Sequence, residues 1–407
     1  MKVGFNKLDI TPKTPVSMSG YGIRPKSNGV LDPIEINTIF IQNDTAVLLI
    51  IVLDSLILED QFVQDMRAKL CAQTQISDNN ILLSCIHTHA APTFFQILKS
   101  YEDEVEGELR EKLFDQMAFS ADCAIKGTVE ATAHFGKRKI EGCYGNRNDI
   151  NGPADKYYYE IQFCDLCNKP IGKLSNISVH PTILHADNLK LSGDLIGRLR
   201  HRLKAVSDVE TIVFTNGVCG DVSTRLYRND ATSDELTVVS EAVLTQITQT
   251  THPSEVTFET FRNGHIEMTH TFNFEEEPFH YSEWQRLSEK GKAGMLNQYE
   301  GYLLDKLNAQ KEVSPLTVHF ESRHFVIDDR LIICTLPGDM NSVFGFSIKE
   351  AFPNYEVILI GYSDAFVGYF VEEAEYGKHF ESYNSRIAPG VAEKFIESVK
   401  GSIRCIL

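Results

Sequence analysis

Basic residues are the minority charge in this sequence: 39 lysines and arginines stand against 56 aspartates and glutamates, a net charge of -17. Gripping a phosphate backbone or an anionic membrane needs clustered cations. The richest stretch, Arg198 to Lys204, reads as one solvated helix face, so nucleic acid is excluded as a partner. Long apolar runs are missing too. The longest, Ala46 to Leu53, falls well short of the roughly 18 residues of a membrane span and suits a buried strand, so no transmembrane segment is expected. The N-terminus has neither the apolar stretch nor the small-residue cleavage site of a secretory signal, which makes a cytoplasmic location the expectation. No internal repeat or low-complexity linker marks a domain boundary.

The nine cysteines are scattered through strand and helix patterns and read as small core residues of a reduced protein. Cys164 and Cys167 form a lone CxxC. No second pair exists to complete a zinc cage, and Asn168-Lys169-Pro170 beside them reads as a hairpin turn.

What is present is alternation. With 43% hydrophobic residues the chain can bury a sizeable core. Strand patterns at Val3 to Ile10, Ile36 to Gln42, Ala46 to Leu53 and Ile81 onward are interleaved with helical ones at Asp60 to Gln73 and Glu108 to Lys126. In the second of these helices Leu109, Leu113, Met117 and Ala121 recur every four residues. Tyr157 to Phe163 and Gly172 to Val179 pair as a hairpin, and Leu195 to Val206, Asp234 to Thr248, Asn341 to Ala351 and Val391 to Val399 read as helices. The expectation is an α/β or α+β fold, a layered sandwich of mixed sheets flanked by helices. Residues 1–407 are read as one domain with a polar helical arm at about 275–312, in which Ser282 to Gln310 fits one long helix.

His87 and His89 follow the apolar run Ile81-Leu82-Leu83. Residues two apart on a strand share a face, so both imidazoles should face one pocket. Neutral imidazole is the commonest metal ligand, although a hydrogen-bonded core pair also fits. His180, ahead of Pro181, is a natural third ligand, while His185 reads as a loop residue. Asn216-Gly217 through Gly220-Asp221-Val222-Ser223 is either an ordinary turn or a loop that brings backbone N–H groups and a hydroxyl to a substrate. Asp339 ends an apolar strand, where it can complete a zinc site, support a ligand histidine or cap the next helix. Tyr369 is either a packed aromatic or an oxygen donor at a metal, and Arg147 is by default a surface ion pair.

Taken together and in order, these loops resemble the catalytic domain of the neutral/alkaline, non-lysosomal ceramidases. Asp9-Ile10-Thr11-Pro12 with Met18-Ser19-Gly20-Tyr21-Gly22, His87-Thr88-His89, Asn146-Arg147, Val179-His180-Pro181-Thr182, Ser192-Gly193-Asp194, Asn216-Gly217, Leu336-Pro337-Gly338-Asp339 and Gly368-Tyr369 follow the family's sequence of motifs, from residue 3 to about 385. The resemblance implies a zinc-dependent hydrolase that cleaves a carboxamide (N-acyl) bond with a metal-activated water. It implies His87, His180, Asp339 and Tyr369 as Zn²⁺ ligands at strand ends, His89, Arg147 and Ser223 as catalytic residues, and Arg147, Ser223 and Asn216 against the substrate. That substrate would be a small-molecule or lipid-like N-acyl compound, and assembly into an oligomer is left open.

The chain departs from the family in carrying Asp339 where a glutamate is usual, and Phe380-Glu381 where a tyrosine precedes the glutamate. No counterpart of the family's C-terminal immunoglobulin-like domain or of its secretion signal is readable in residues 1–407, so neither is expected. Two alternatives follow: an intracellular hydrolase of smaller amides or esters, or a metal-binding protein without turnover.

Overall fold

Val47–Leu53 is apolar at every position and buried along almost all its length, the pattern of a strand covered on both faces. In the computed structural model, which describes residues 1–13, 15–96, 106–249 and 253–407, this strand passes through the helix Asp60–Thr74 into the parallel strand Ile81–Cys85. The device recurs twice. Pro170–Ile177 leads through the helix Asp194–Val206 to the parallel strand Thr211–Asn216. Leu331–Thr335 leads through Ser342–Ala351 to Glu356–Ile360. Parallel partners need a crossover of a dozen or more residues, so an apolar run, an amphipathic run and a second apolar run specify each unit.

The first two units belong to a nine-stranded mixed sheet. Its order is Thr211–Asn216, Pro170–Ile177, Tyr157–Asp165, Val129–Lys139, Lys2–Asp9, Glu35–Gln42, Val47–Leu53 and Ile81–Cys85, with Ser254–Val256 beside Val129–Lys139. The third unit lies in a four-stranded sheet whose long hairpin, Phe261–Phe272 with Leu316–Ile327, is paired in one unbroken register. Helix Val391–Ile406 covers this sheet, burying Phe395, Ile396, Val399 and Ile403 on one stripe. The mixed α/β sandwich expected from the sequence is the fold observed.

The C-terminal ends of the parallel strands meet. Gly361 N–H donates to Asn216 O at 2.9 Å, Gly217 N–H to Ile177 O at 2.8 Å, and Cys85 N–H to Tyr362 O at 3.2 Å. Two glycines permit the approach: a Cβ on Gly217 would lie 2.1 Å from Ser178 Oγ, and one on Gly361 would lie 2.4 Å from Gly217 O. In open α/β sheets, ligands bind outside the carboxyl ends of parallel strands, and here the loops leaving those ends carry His87, His180, Ser223, Asp339 and Tyr369.

The arm differs from expectation. Instead of one helix over 282–310 there are two, Pro278–Lys292 and Gln298–Val313, separated by a turn with Gly294 at φ 68°. Asn297 caps the second with a reciprocal capping box to Glu300. The pair buries Phe272, Phe274, Leu287, Leu303, Leu307 and Tyr383 in a cluster of its own. No helix among the described residues is long and apolar enough to cross a membrane.

Candidate metal centre

The strand Ile81–Cys85 stops before the histidines, so alternation along a strand is not what aims them. His87 takes a left-handed backbone, φ 65°, an uncommon conformation for a non-glycine residue. It turns the imidazole back against Tyr362, which stacks on it at 4.1 Å and 15°. Gly20 makes room for His89: at φ 107°, a Cβ there would lie 2.6 Å from the His89 ring. Arg24 fixes the same loop through Nη2, which donates to His89 O at 2.6 Å and Ser19 O at 2.8 Å. His180 is held through its backbone, its N–H donating to Val222 O at 2.9 Å in a bridge with Ser223. Asp194 gathers the loop after it, accepting from Ile183 N at 3.2 Å and Leu184 N at 2.9 Å.

Each imidazole turns Nδ1 toward a backbone carbonyl: His87 to Leu56 O at 2.6 Å, His89 to Gly20 O at 3.1 Å, and His180 to Cys219 O at 3.3 Å. A carbonyl only accepts, so all three rings carry their proton on Nδ1 and present a bare Nε2 lone pair. Those lone pairs converge. His87 Nε2 lies 3.2 Å from His180 Nε2 and 3.4 Å from His89 Nε2, and one ligand atom from each of the three residues falls within 4.8 Å of the others. Nitrogens bound at about 2.0–2.1 Å in a tetrahedral array sit about 3.3 Å apart. Burial drives the His87 and His180 pKa values well below the usual imidazole range and that of His89 down to about 3, so protonation does not neutralise the repulsion. Three neutral donors facing one point suit a metal ion.

Asp339 completes the acid side. Its short strand Asp339–Met340 pairs in parallel with Tyr369–Phe370, setting Asp339 beside Tyr369. Asp339 Oδ1 accepts the Tyr362 hydroxyl at 2.7 Å and lies 3.5 Å from His87 Nε2 and 3.7 Å from His180 Nδ1. Burial raises its pKa to about 7, against the opposing pull of the Tyr362 hydroxyl and Arg147.

Arg147 is no surface pair. It is buried, donating from Nε to Glu381 Oε1 at 2.8 Å and from Nη2 to the Tyr369 hydroxyl at 3.1 Å. Tyr369 thus lines the cavity with its oxygen already hydrogen-bonded. Ser223 is buried, its Oγ accepting Arg225 N at 3.2 Å, and among the described residues no histidine nitrogen is recorded in a hydrogen bond with it. The amide of Asn216 is occupied by backbone, its Nδ2 donating to Ile86 O at 3.1 Å and its Oδ1 accepting Val179 N at 3.2 Å. Of the residues singled out from sequence, His87, His89, Asp339 and Tyr369 line a narrow cavity of about 120 Å³, while His180, Arg147, Ser223 and Asn216 are not on its wall.

Several contributors were not singled out from sequence. Tyr362 bridges Asp339 and His87. Glu381 holds Arg147, and Tyr21 stands between His89 and His185, 5.0 Å from each ring. Tyr302, Lys306 and Gln310 of the second arm helix form part of the cavity wall. The Cys164–Cys167 pair lies at the hairpin between Tyr157–Asp165 and Pro170–Ile177, Cys167 exposed and both thiols free.

No family profile matches the chain, and no curated protein matches it by sequence. Solved structures do match its fold. The neutral ceramidase of Pseudomonas aeruginosa superposes with a TM-score of 0.75 at 18% identity, over 99% of this chain and 74% of that one. A ceramidase complexed with C2 gives 0.77 at 15% identity, over 99% and 75%. The chain shares the fold of these enzymes.

Proposed function

We propose that the chain is a zinc-dependent hydrolase of carboxamide (N-acyl) bonds. The observation that carries this is the convergence of three bare Nε2 lone pairs beside a cavity that His87 and His89 line. The ceramidase fold supports an N-acyl, lipid-like substrate as the starting point.

In this reading His87, His180 and Asp339 hold the ion, with the Tyr369 oxygen at the same centre. When bound, Zn²⁺ lowers the pKa of a coordinated water and polarises the scissile carbonyl. His89, which faces both the cavity and the trio, takes the proton of the attacking water and returns it to the leaving amine. Tyr369, polarised by Arg147, donates to the carbonyl oxygen as charge develops there. Tyr362 fixes the carboxylate of Asp339 by donating its hydroxyl to Oδ1. Ser223 supports His180 through the backbone, and water is the nucleophile.

Purified protein should contain close to one equivalent of zinc, hydrolyse short-chain N-acyl amides, lose that activity to a chelator and regain it with zinc. Absence of bound metal would sink the reading, and bound zinc without hydrolysis across an amide and ester panel would leave a metal-binding protein.

Metal affinity should depend on pH through one group. Asp339 must be ionised to bind, and its metal-free pKa is raised to about 7, so below that pH the ion must displace a proton. The imidazoles are already neutral there and displace none. Affinity is therefore expected to fall about tenfold per unit as pH drops below 7 and to level off above it. A chelator-competition titration reads this. Asp339→Asn should abolish the slope, and a slope that survives it would remove Asp339 from the ligand set.

A further inference from the structure

We propose that the site is selective for short acyl groups, acetyl to butyryl, and that Phe366 sets this limit by closing the acyl end of the cavity beside His87. The proposal rests on the reading of the site as an N-acyl hydrolase and names the acyl class of its substrate.

The cavity has a buried end and an open end. Leu56, His87 and Asp339, all buried, form the first. Tyr302, 43% exposed, and Gly22, next to Ile23 at 72%, stand at the second. Of the three histidines, His87 and His180 are buried and His89 is only partly so. In the proposed reaction His89 hands the proton to the leaving amine, so the amine lies at the imidazole that solvent reaches. The acyl group is thereby turned inward, onto Leu56 and Phe366.

That end is apolar and firmly held. The Phe366 ring stacks beside His87 at 5.8 Å and 20° and packs on the large apolar core. Its loop is tied on both sides: Asp364 N–H donates to Leu83 O at 2.8 Å, and Gly368, at φ 94°, accepts Asp339 N at 2.9 Å through its carbonyl. Ala365 and Val367, the neighbours of Phe366 in the chain, are buried. Leu56 is fixed through its carbonyl, which accepts His87 Nδ1–H at 2.6 Å. Close-packed groups of this kind transmit strain rather than yield to an oversized ligand.

Volume sets the length. An apolar protein cavity of about 150 Å³ binds benzene, with its six carbons, and this one measures about 120 Å³. The scissile amide takes up a carbon, an oxygen and a nitrogen, which leaves room for about two or three further atoms on the same scale. Those complete a propionyl or butyryl group, while the amine continues through the open end. A longer acyl chain meets the Phe366 ring.

The test measures kcat/KM on the zinc-loaded protein for one amine acylated with acetyl, butyryl, octanoyl and dodecanoyl groups, and for N-acetyl derivatives of amines of increasing length. From butyryl to octanoyl the value is expected to fall about tenfold or more, while lengthening the amine leaves it nearly flat. Phe366→Ala should raise the octanoyl-to-butyryl ratio about tenfold, and the milder Phe366→Leu should raise it partway. A ratio taken within one variant cancels any loss common to both substrates. A wild-type kcat/KM that holds or rises from butyryl to dodecanoyl, or a ratio unmoved in both variants, overturns the proposal while leaving the hydrolase reading intact. If nothing is turned over, calorimetric binding of butyrate and octanoate, the carboxylates such hydrolysis would release, decides. Tighter binding of butyrate, equalised in Phe366→Ala, upholds the acyl limit and sinks the hydrolase; equal binding, tighter octanoate or no binding of either overturns the acyl limit as well.

Discussion

Replacing His87 with asparagine should leave a folded chain that has lost its metal and its turnover together. Asparagine is the substitution of choice because position 87 sits at φ 65°, a region that asparagine enters more readily than most residues. Alanine would mix a backbone penalty into the result. The imidazole meets three neighbours that respond to its loss: Leu56 O at 2.6 Å, His180 Nε2 at 3.2 Å and the Tyr362 ring at 4.1 Å. Losing a residue that merely orients a ligand costs about 10–100-fold in metal affinity or activity. Losing the ligand with the most contacts at the centre should cost about a thousandfold or more on the same scale. Metal content per chain, hydrolysis rate and far-UV circular dichroism together read the outcome. A variant that keeps stoichiometric zinc would remove His87 from the ligand set.

His89→Ala is the companion measurement. In the proposed division of labour His89 moves a proton, so this variant should retain zinc while kcat falls about 10²–10⁴-fold. Its Nε2 is nearly as close to His87 Nε2 as that of His180, 3.4 Å against 3.2 Å. Loss of zinc would therefore make His89 the third imidazole ligand.

The order of strands and helices was largely legible because burial on both faces leaves continuous apolar runs, and the three parallel units consist of such runs. Val129–Lys139 was not read from sequence, although it lies near the middle of the large sheet. Its inward residues include Ala131 and Ala133, too small to register strongly, and it ends in Lys137, Arg138 and Lys139. The period-two alternation through Phe135 was the available signal. The arm was misread as one helix because the 3.6-residue pattern continues on both sides of the turn, where Gly294 at positive φ and the Asn297–Glu300 capping box were the available signals.

The histidines could be picked out, but the argument for where they point was wrong in its mechanism. Strand alternation does not bring His87 and His89 together; a left-handed residue and a glycine at position 20 do. Lys306 and Arg386 could not be found by local pattern. They share a cavity wall with His87 and His89 because the arm and the chain after Tyr383 fold over the same strand ends, a long-range fact with no local trace.

The largest stability effect is expected at Asp364, which lies between the site and the ionic cluster behind it. Its side chain is fully buried. Oδ1 accepts Leu83 N at 3.3 Å, Oδ2 accepts Thr335 Oγ1 at 3.2 Å and Arg323 Nη1 at 3.4 Å, and Arg67 pairs with it closely. Its own N–H donates to Leu83 O at 2.8 Å. One residue thus fastens Ile81–Cys85, the strand that delivers His87, to the loop that delivers Tyr362. Arg67 and Arg323, 5% and 1% exposed, would keep Glu321 and Asp78 as partners but face an empty volume where Asp364 stood. Removing one member of a buried charge network costs about 3–5 kcal/mol because it strands the others, so Asp364→Ala should lower unfolding stability by that amount in urea. Asp364→Asn keeps the side-chain size, tolerates φ 68° and still accepts from Leu83, and should lose less, about 1–3 kcal/mol. Equal losses in the two variants would assign the effect to shape rather than charge. A loss in both below about 1 kcal/mol would show that the network contributes little to stability and that Asp364 serves mainly to hold Tyr362 beneath His87.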